Sequence, residues 1–343
     1  MSRTAAAASS VLTTRELLCC VFEFQHGLYE DIIPLIQLDP DRSTRCSRTL
    51  YYLMLGNYAA FQDHMEAFAS GFDPWYDVHG TRGLGRLFAC VGSISFTVEL
   101  HAAVTCNLNV VAYLAQQDLL DPMVPLMDVA AWNGSLPVMR YLLANTMGHL
   151  SPTTLDWAAC NGKLDVVRYF TLEEWSPCST EAMDGAARCG HVDVVKFLHA
   201  HRHEGCTFGA MDRAACYGFL DIVSFLHAHR REGCSHRAMD AAAANGHLHV
   251  IEFLHMHRDE GCSTDAIDGA ALNGHMAVVR YLHEECLAGC SADALDAALA
   301  LGMEDMAKYL MDNCVPEDDE IDNSTATLVT PTSSSSPSQW LCA

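Results

Sequence analysis

A repeat of 28 residues runs through most of the chain and constrains its fold more than any other feature. An aspartate returns at this interval at Asp128, Asp156, Asp184, Asp212, Asp240, Asp268 and Asp296. A further copy lies upstream in the same register, with Leu100 in the aspartate position. Six residues after each aspartate comes a glycine, at Gly134, Gly162, Gly190, Gly218, Gly246, Gly274 and Gly302. Self-similarity with a period in this range is the signature of a repeat architecture.

Each repeat predicts two short helices joined by a turn. In residues 179–205, Ser179 is a suitable N-cap, and Glu181 follows in the first turn, where the helix dipole favours negative charge. Gly190 ends the first helix, and the second helix then has an apolar face made of Val194, Val195, Phe197 and Leu198. Such a pair cannot bury this face alone, so neighbouring pairs must stack. We predict an all-α, elongated solenoid of stacked helix-turn-helix repeats over residues 100–315, with about eight repeats.

The repeat resembles the ankyrin family. The segment Gly190-His191-Val192-Asp193-Val194-Val195-Lys196-Phe197-Leu198 is similar to the second helix of ankyrin repeats, and Met183-Asp184-Gly185-Ala186-Ala187 is similar to the first, with aspartate in place of the usual histidine. The Thr-Pro opening is missing apart from Ser151-Pro152, and the period is shorter than the usual length of about 33 residues. The resemblance implies ankyrin-like repeats that lack most of the β-hairpin. It also implies a non-catalytic scaffold or adaptor that binds another protein through its first-helix, concave face.

The two ends of the chain do not hold the register. We expect residues 1–14 to be flexible and residues 15–99 to be a divergent helical region that caps the solenoid. Helix pairs are predicted at 15–37, with Gly27 as hinge, and at 50–68, with a further helical fragment at 82–96. Loops are predicted at 71–75 and 79–85. A docking motif of the F-box-like adaptor kind is the alternative for this region. Residues 316–343 are acidic and serine-rich, and we expect a disordered tail.

The charge balance limits the partners. The chain carries 43 acidic and 20 basic residues, a formal net charge of −23, which argues against binding nucleic acid or an anionic membrane. No apolar run approaches the ~20 residues that span a bilayer. The first fourteen residues lack the apolar stretch of a secretory signal, although a mitochondrial presequence stays open. We therefore expect a monomer in the cytoplasm or nucleus that binds another protein.

No enzyme motif is present. The sequence has no GxSxG, P-loop or HExxH pattern, and no isolated Cys/His/Asn set outside repeat positions. We predict that the protein is not an enzyme and has no cofactor.

Three further series of side chains follow the repeat. Cysteines recur at Cys178, Cys206, Cys234, Cys262 and Cys290, and histidines recur in two series, His199, His227, His255, His283 and His201, His229, His257. We predict that these cysteines plug the turns between repeats, and that the His201 ring covers Phe197. The aspartates are predicted to accept a backbone N–H from the turn of the next repeat. The alternative function is a metal-binding or pH-responsive protein that uses the histidines and cysteines, with no metal ligands assigned.

Partner-binding residues should lie where the repeat varies on its first helices. Positions one, four and five after the aspartate share a face and vary freely, and the turn before the helix adds one more position. These positions hold residue types that are enriched in interface hot spots. The predicted partner-binding residues are Trp132, Trp157, Arg188, Phe208, Arg213 and Tyr217. The competing interpretation is that the two tryptophans are buried against neighbouring helices. The arginines suggest a partner with acidic groups.

Overall fold

The computed structural model describes residues 24–25, 28–29, 31–36, 58–122, 124–147, 150–173 and 178–313. Within these residues the chain is helical apart from one short strand pair, β1 (Phe24–Gln25) with β2 (Leu28–Tyr29). The helices are α1 (Ile33–Ile36), α2 (Tyr58–Cys90), α3 (Ile94–Val104), α4 (Leu108–Gln116), α5 (Leu126–Asn133), α6 (Leu136–Ala144), α7 (Pro152–Cys160), α8 (Leu164–Leu172), α9 (Glu181–Arg188), α10 (Val192–His201), α11 (Phe208–Cys216), α12 (Leu220–His229), α13 (His236–Ala244), α14 (Leu248–His257), α15 (Asp265–Leu272), α16 (Met276–Glu284), α17 (Ala292–Ala300) and α18 (Glu304–Asn313).

The chain divides into two compact bodies, which we call the N-terminal body (residues 1–150) and the C-terminal body (residues 151–343). This boundary lies inside the repeat array, after the repeats that contain Leu100 and Asp128, and not at the predicted start of the array at residue 100. The remaining six repeats, from Asp156 to Asp296, belong to the C-terminal body.

In the C-terminal body the helices form two rows. The first helices of successive repeats pack on one another in the order α7, α9, α11, α13, α15 and α17, and these contacts are the most extensive in the fold. The second helices form a looser row from α8 to α16, and each packs on the first helix of its own repeat. This stacking of helix pairs is the all-α repeat solenoid that the 28-residue period predicts.

The sequence pattern explains the tightness of the first row. Each first helix carries paired alanines such as Ala186 and Ala187, which are fully buried, so neighbouring backbones approach closely. In the second helices the aliphatic part of the predicted apolar face is buried, for example at Val194, Val195 and Leu198, whereas Phe197 is half-buried. Full burial of one such Val or Leu side chain contributes about 1.5–3 kcal/mol. The core therefore repeats once per helix pair.

The N-terminal body contains two repeats and a long helix beside them. The helix pairs α3/α4 and α5/α6 are the repeats of Leu100 and Asp128, and α2 packs against both α3 and α4. Asp31 links the segment before α1 to α2. Its Oδ2 accepts hydrogen bonds from Trp75 Nε1 at 2.8 Å and from Arg86 Nη2 at 2.6 Å.

Several predictions for residues 15–99 are wrong in detail. The segments 71–75 and 79–85, predicted as loops, lie inside α2, which includes Pro74 and bends at Gly80 with φ 57° and ψ −161°. Because glycine adopts this backbone without a Cβ clash, the helix kinks where the sequence indicated a break. Within the predicted helix pair at 15–37, the described residues form the antiparallel pairing of β1 with β2 and then the short helix α1, so only its second part is helical where described. Residues 1–14, Gly27, the segment 50–57 and the tail 316–343 lie outside the described residues.

Candidate partner-binding face

The aspartate series forms the joint between repeats, as predicted. Each carboxylate accepts a hydrogen bond from the backbone N–H of a Ser or Thr 23 residues later, at 2.8–3.0 Å, for Asp156, Asp184, Asp212, Asp240 and Asp268. For the first four, the hydroxyl of the same residue also donates to the carboxylate, at 2.5–2.8 Å. That hydroxyl oxygen in turn accepts an N–H at the start of the next first helix, for example from Arg237 to Ser235 Oγ at 3.2 Å. Each of these five aspartates thus holds the residue at the N-cap of the following repeat, or the residue just before it.

The joint places carboxylates in a poorly solvated position. Burial raises the pKa of Asp156, Asp184, Asp212 and Asp240, and the Ser or Thr hydrogen bonds partly oppose this effect. The ends of the series differ. Asp128 is half-buried in α5, and Asp296 in α17 is exposed.

The first repeat uses a shifted carboxylate that the sequence pattern did not indicate. Leu100 occupies the aspartate position and is fully buried, but the preceding residue, Glu99, accepts the backbone N–H of Asp121 through Oε2 at 3.1 Å. Glu99 is itself buried, and this burial raises its pKa to about 8. A protonated carboxyl therefore takes the place of the aspartate in this repeat at neutral pH.

The repeat glycines are required for two reasons. All five predicted structural glycines, Gly162, Gly190, Gly218, Gly246 and Gly274, have positive φ, as expected of residues that end the first helix. A ring from the next repeat also packs on the same position at the first four of them, whereas the Met303 sulfur lies nearest to Gly274. A Cβ on Gly218 would lie 2.7 Å from His247 Nδ1, and a Cβ on Gly162 would lie 2.6 Å from His191 Nδ1.

The histidines pack on aromatic rings. His201, His229 and His257 stack on the aromatic residue four positions earlier, with ring centroids 4.2–4.4 Å apart, which confirms the prediction for His201 and Phe197. The other series meets the next repeat edge-on, as in His199 with Phe225 at 5.4 Å. Among the described residues, no group of three or more His, Cys, Asp and Glu side chains is arranged to hold a metal ion.

The turns between repeats bury the periodic cysteines. Cys206 is buried, and Cys178, Cys234, Cys262 and Cys290 are half-buried, which fits their predicted role as plugs. Arg230 and Glu232 form an ion pair, and a Cβ on Gly205 of the preceding turn would clash with the Arg230 guanidinium. Burial raises the pKa of the Cys206 thiol to about 11, so it stays protonated at neutral pH.

The six predicted partner-binding residues divide between the two bodies. Trp132 lies in the N-terminal body, where it is half-buried and meets Phe61 of α2 edge-on, with ring centroids 5.6 Å apart. Trp157, in α7 of the C-terminal body, is also half-buried. Trp132 therefore contacts α2. Neither tryptophan is fully buried, so the partner-binding role of both stays a prediction. The Arg188 guanidinium lies over Cys160, with Nη2 3.4 Å from Sγ.

The remaining three predicted residues share helix α11 and its end. Phe208 begins the helix and is 56% exposed, and Tyr217 follows its last residue and is 42% exposed. Arg213 lies between them, half-exposed, with Nη1 3.5 Å from Glu181 Oε2 of α9. His236 and Arg237 are exposed at the start of α13, the next first helix. We call Phe208, Arg213, Tyr217, His236 and Arg237 the α11–α13 face.

No protein-family model matches the chain, and no curated protein matches it. Among the described helices, none is long and apolar enough to cross a membrane.

Proposed function

We propose that the protein is a non-catalytic scaffold or adaptor of the ankyrin-repeat type, and that it binds a partner protein through the α11–α13 face. The observation that carries the proposal is that two sets of positions within the 28-residue repeat differ in how much they vary and in how exposed they are. The aspartate, glycine and apolar positions repeat and are used for joints and core. The neighbouring first-helix positions change from repeat to repeat and carry exposed aromatic and cationic side chains in α11 and α13.

The side chains of this face suit a protein partner with acidic groups. Arg213 and Tyr217 are four positions apart, so they lie on one side of the helix, about 6 Å apart along its axis, where one partner segment can contact both. Tyr and Arg are enriched in interface hot spots, where truncation costs about 2 kcal/mol or more. Arg213, His236 and Arg237 lie between or beside the aromatic residues, in a chain of net charge −23. The local cations therefore give the face a charge that differs from the rest of the chain.

The test is affinity capture from the native cell, followed by a binding measurement with the partner identified by mass spectrometry. We expect Phe208→Ala and Tyr217→Ala each to weaken binding by about tenfold or more, as for hot-spot residues. Met256→Ala is the matched control, because Met256 is 70% exposed but lies on the second helix α14. Equal loss of affinity in the α11 variants and the control, or no loss in either, would contradict the proposal.

A further inference from the structure

Two cysteines from adjacent repeats meet at the ends of their first helices. Cys160 is the last residue of α7, and Cys189 directly follows α9, so the packing of α7 on α9 places them side by side. Their Sγ atoms are 3.5 Å apart. Gly185 permits this approach, because a Cβ at that position would lie 3.1 Å from Cys160 Cβ. A disulfide requires about 2.05 Å between the sulfur atoms, so the thiols need a shift of only about 1.5 Å.

The surroundings of the pair favour a reactive sulfur. Helix C-termini carry partial negative charge, which by itself disfavours a thiolate at both positions. Arg188 compensates, since its Nη2 lies 3.4 Å from Cys160 Sγ. The hydrogen bond with Cys189, together with Arg188, lowers the pKa of Cys160 to about 6 although burial opposes the shift. The same contact with Cys160 raises the pKa of Cys189. Cys160 is therefore the thiolate, and Cys189 remains the protonated partner.

Both sulfur atoms can be reached by a small reagent. Cys189 is exposed and Cys160 is half-buried. The periodic cysteines differ, since they lie in the turns and burial raises the pKa of Cys178, Cys206 and Cys234 to about 11. We propose that Cys160 and Cys189 form a dithiol modification site that hydrogen peroxide oxidises to an intramolecular disulfide.

The reaction has two steps and balances with one peroxide. The Cys160 thiolate attacks one peroxide oxygen, so that an S–O bond forms and the O–O bond breaks. Hydroxide leaves and takes up a proton, giving water and a Cys160 sulfenic acid. The Cys189 sulfur then attacks the Cys160 sulfur, the S–S bond forms, and the sulfenic oxygen leaves as water with the Cys189 proton. Two thiols are oxidised, and one peroxide is reduced to two waters.

The reaction should select Cys160 over the periodic cysteines. At pH 7 a thiol with a pKa near 6 is about 90% thiolate, whereas one with a pKa near 11 is about 0.01% thiolate. A less basic thiolate is also a weaker nucleophile, with a Brønsted slope of about 0.45. This weaker nucleophilicity reduces the advantage in thiolate fraction by a factor of roughly 200. The net expectation is that Cys160 reacts about 50-fold faster than Cys206 or Cys234.

The experiment treats the reduced full-length protein with one equivalent of hydrogen peroxide and maps tryptic peptides by mass spectrometry. Cleavage at the flanking basic residues leaves Cys160 in peptide 141–163 and Cys189 in peptide 189–196. We expect these two peptides to appear cross-linked, with loss of two hydrogen atoms. In Cys189→Ser, a sulfenic-acid trap should label Cys160. In Cys160→Ser, peptide 189–196 should appear without a cross-link to peptide 141–163.

Arg188 is a positioning residue, and a pH profile tests its role. The rate at which iodoacetamide alkylates Cys160 should show an inflection near pH 6 in the natural protein and at a higher pH in Arg188→Met. At pH 6 we expect peroxide to oxidise Arg188→Met about tenfold more slowly, because most of the thiolate is lost. Arg188→Lys should retain part of the rate, and Cys206→Ser should leave the cross-link unchanged.

The outcomes that overturn the proposal are specific. They are Cys160 oxidised to sulfinic acid without a cross-link to Cys189, an inflection near the ordinary thiol pKa of about 8.5, or a cross-link that instead joins periodic cysteines. Circular dichroism of each variant establishes that it is folded before its rate is compared.

Discussion

Replacing Glu99 by Gln should make the N-terminal body more stable at alkaline pH. Glu99 is only 1% exposed, and it accepts the Asp121 N–H in place of the aspartate that other repeats use. Burial raises its pKa from 4.5 to about 8, with a smaller contribution from the charge of Asp121. Glutamine keeps an acceptor oxygen at the same position but has no charge to ionise.

The direction of the pH effect follows from proton binding. Between pH 4.5 and pH 8 the folded state holds a proton on Glu99 that the unfolded state has released, so the free energy of unfolding falls as pH rises through this window. One proton corresponds to about 1.4 kcal/mol per pH unit. Between pH 6 and pH 9 the free energy of unfolding should therefore fall by about 2.5 kcal/mol more in the natural protein than in Glu99→Gln.

The assay must read the N-terminal body separately from the C-terminal body. The protein is equilibrated in urea at pH 6 or pH 9 and then pulse-labelled with deuterium at one common pH. Peptides from α3 and α4 report the folded fraction. Glu66→Gln, an exposed carboxylate on α2, controls for the change in net charge. If Glu99→Gln shows the same pH dependence as the natural protein, the buried protonated carboxyl is refuted.

Three further predictions concern the C-terminal body. Asp212→Ala should destabilise it by about 2–3 kcal/mol in urea denaturation, because the N–H and hydroxyl of Ser235 lose a charged acceptor. Asp296→Ala, at the exposed end of the same series, should change stability by less than about 0.5 kcal/mol. If both variants lose the same stability, the aspartate does not stabilise the joint between repeats. Gly218→Ala should lower stability more than Gly302→Ala, since both glycines have positive φ but only Gly218 lies under a ring, that of His247. If both variants lower the melting temperature equally, the His247 ring makes no steric contribution. Burial lowers the pKa of His199 and His247, so protons bind the unfolded state more tightly and stability should fall as pH drops below about 6.5. His247→Gln should reduce that acid sensitivity in urea titrations, and an unchanged pH profile would count against it.

The periodic part of the fold could be predicted from the sequence because each repeat uses the same positions for the same contacts. The helix pairs, the aspartate joints and the stacking of His201 on Phe197 follow from a fixed frame of 28 residues. Seven aspartates at one spacing carry far more information than any single residue. The described part of the non-periodic region lacked this support. There Pro74 and Gly80 indicated breaks, but tertiary packing kept α2 helical on both sides of a kink.

The candidate site was less predictable, because residues that touch across two repeats occupy different positions within the 28-residue repeat. Cys160 is four residues after its aspartate and Cys189 is five after the next, so they share no column in the repeat. Their proximity follows only from the packing of α7 on α9. Glu99 escaped notice for the same reason, since a shift of one residue removes it from the aspartate position. Sequence variability indicated candidate binding positions on the first helices, but it did not indicate how far Trp132 and Trp157 are buried.

The aspartate joint also makes the C-terminal array directional, and it connects successive repeats by one kind of contact. Each repeat from Asp184 to Asp240 offers a carboxylate to the next repeat and receives one at its own Ser or Thr, so these neighbours fit together by the same pair of groups. Inserting or deleting a whole 28-residue block between Asp184 and Asp240 would leave matching ends on both sides. Such an array can lengthen or shorten by gene duplication without compensating changes, while the surface of each added block remains free to diverge.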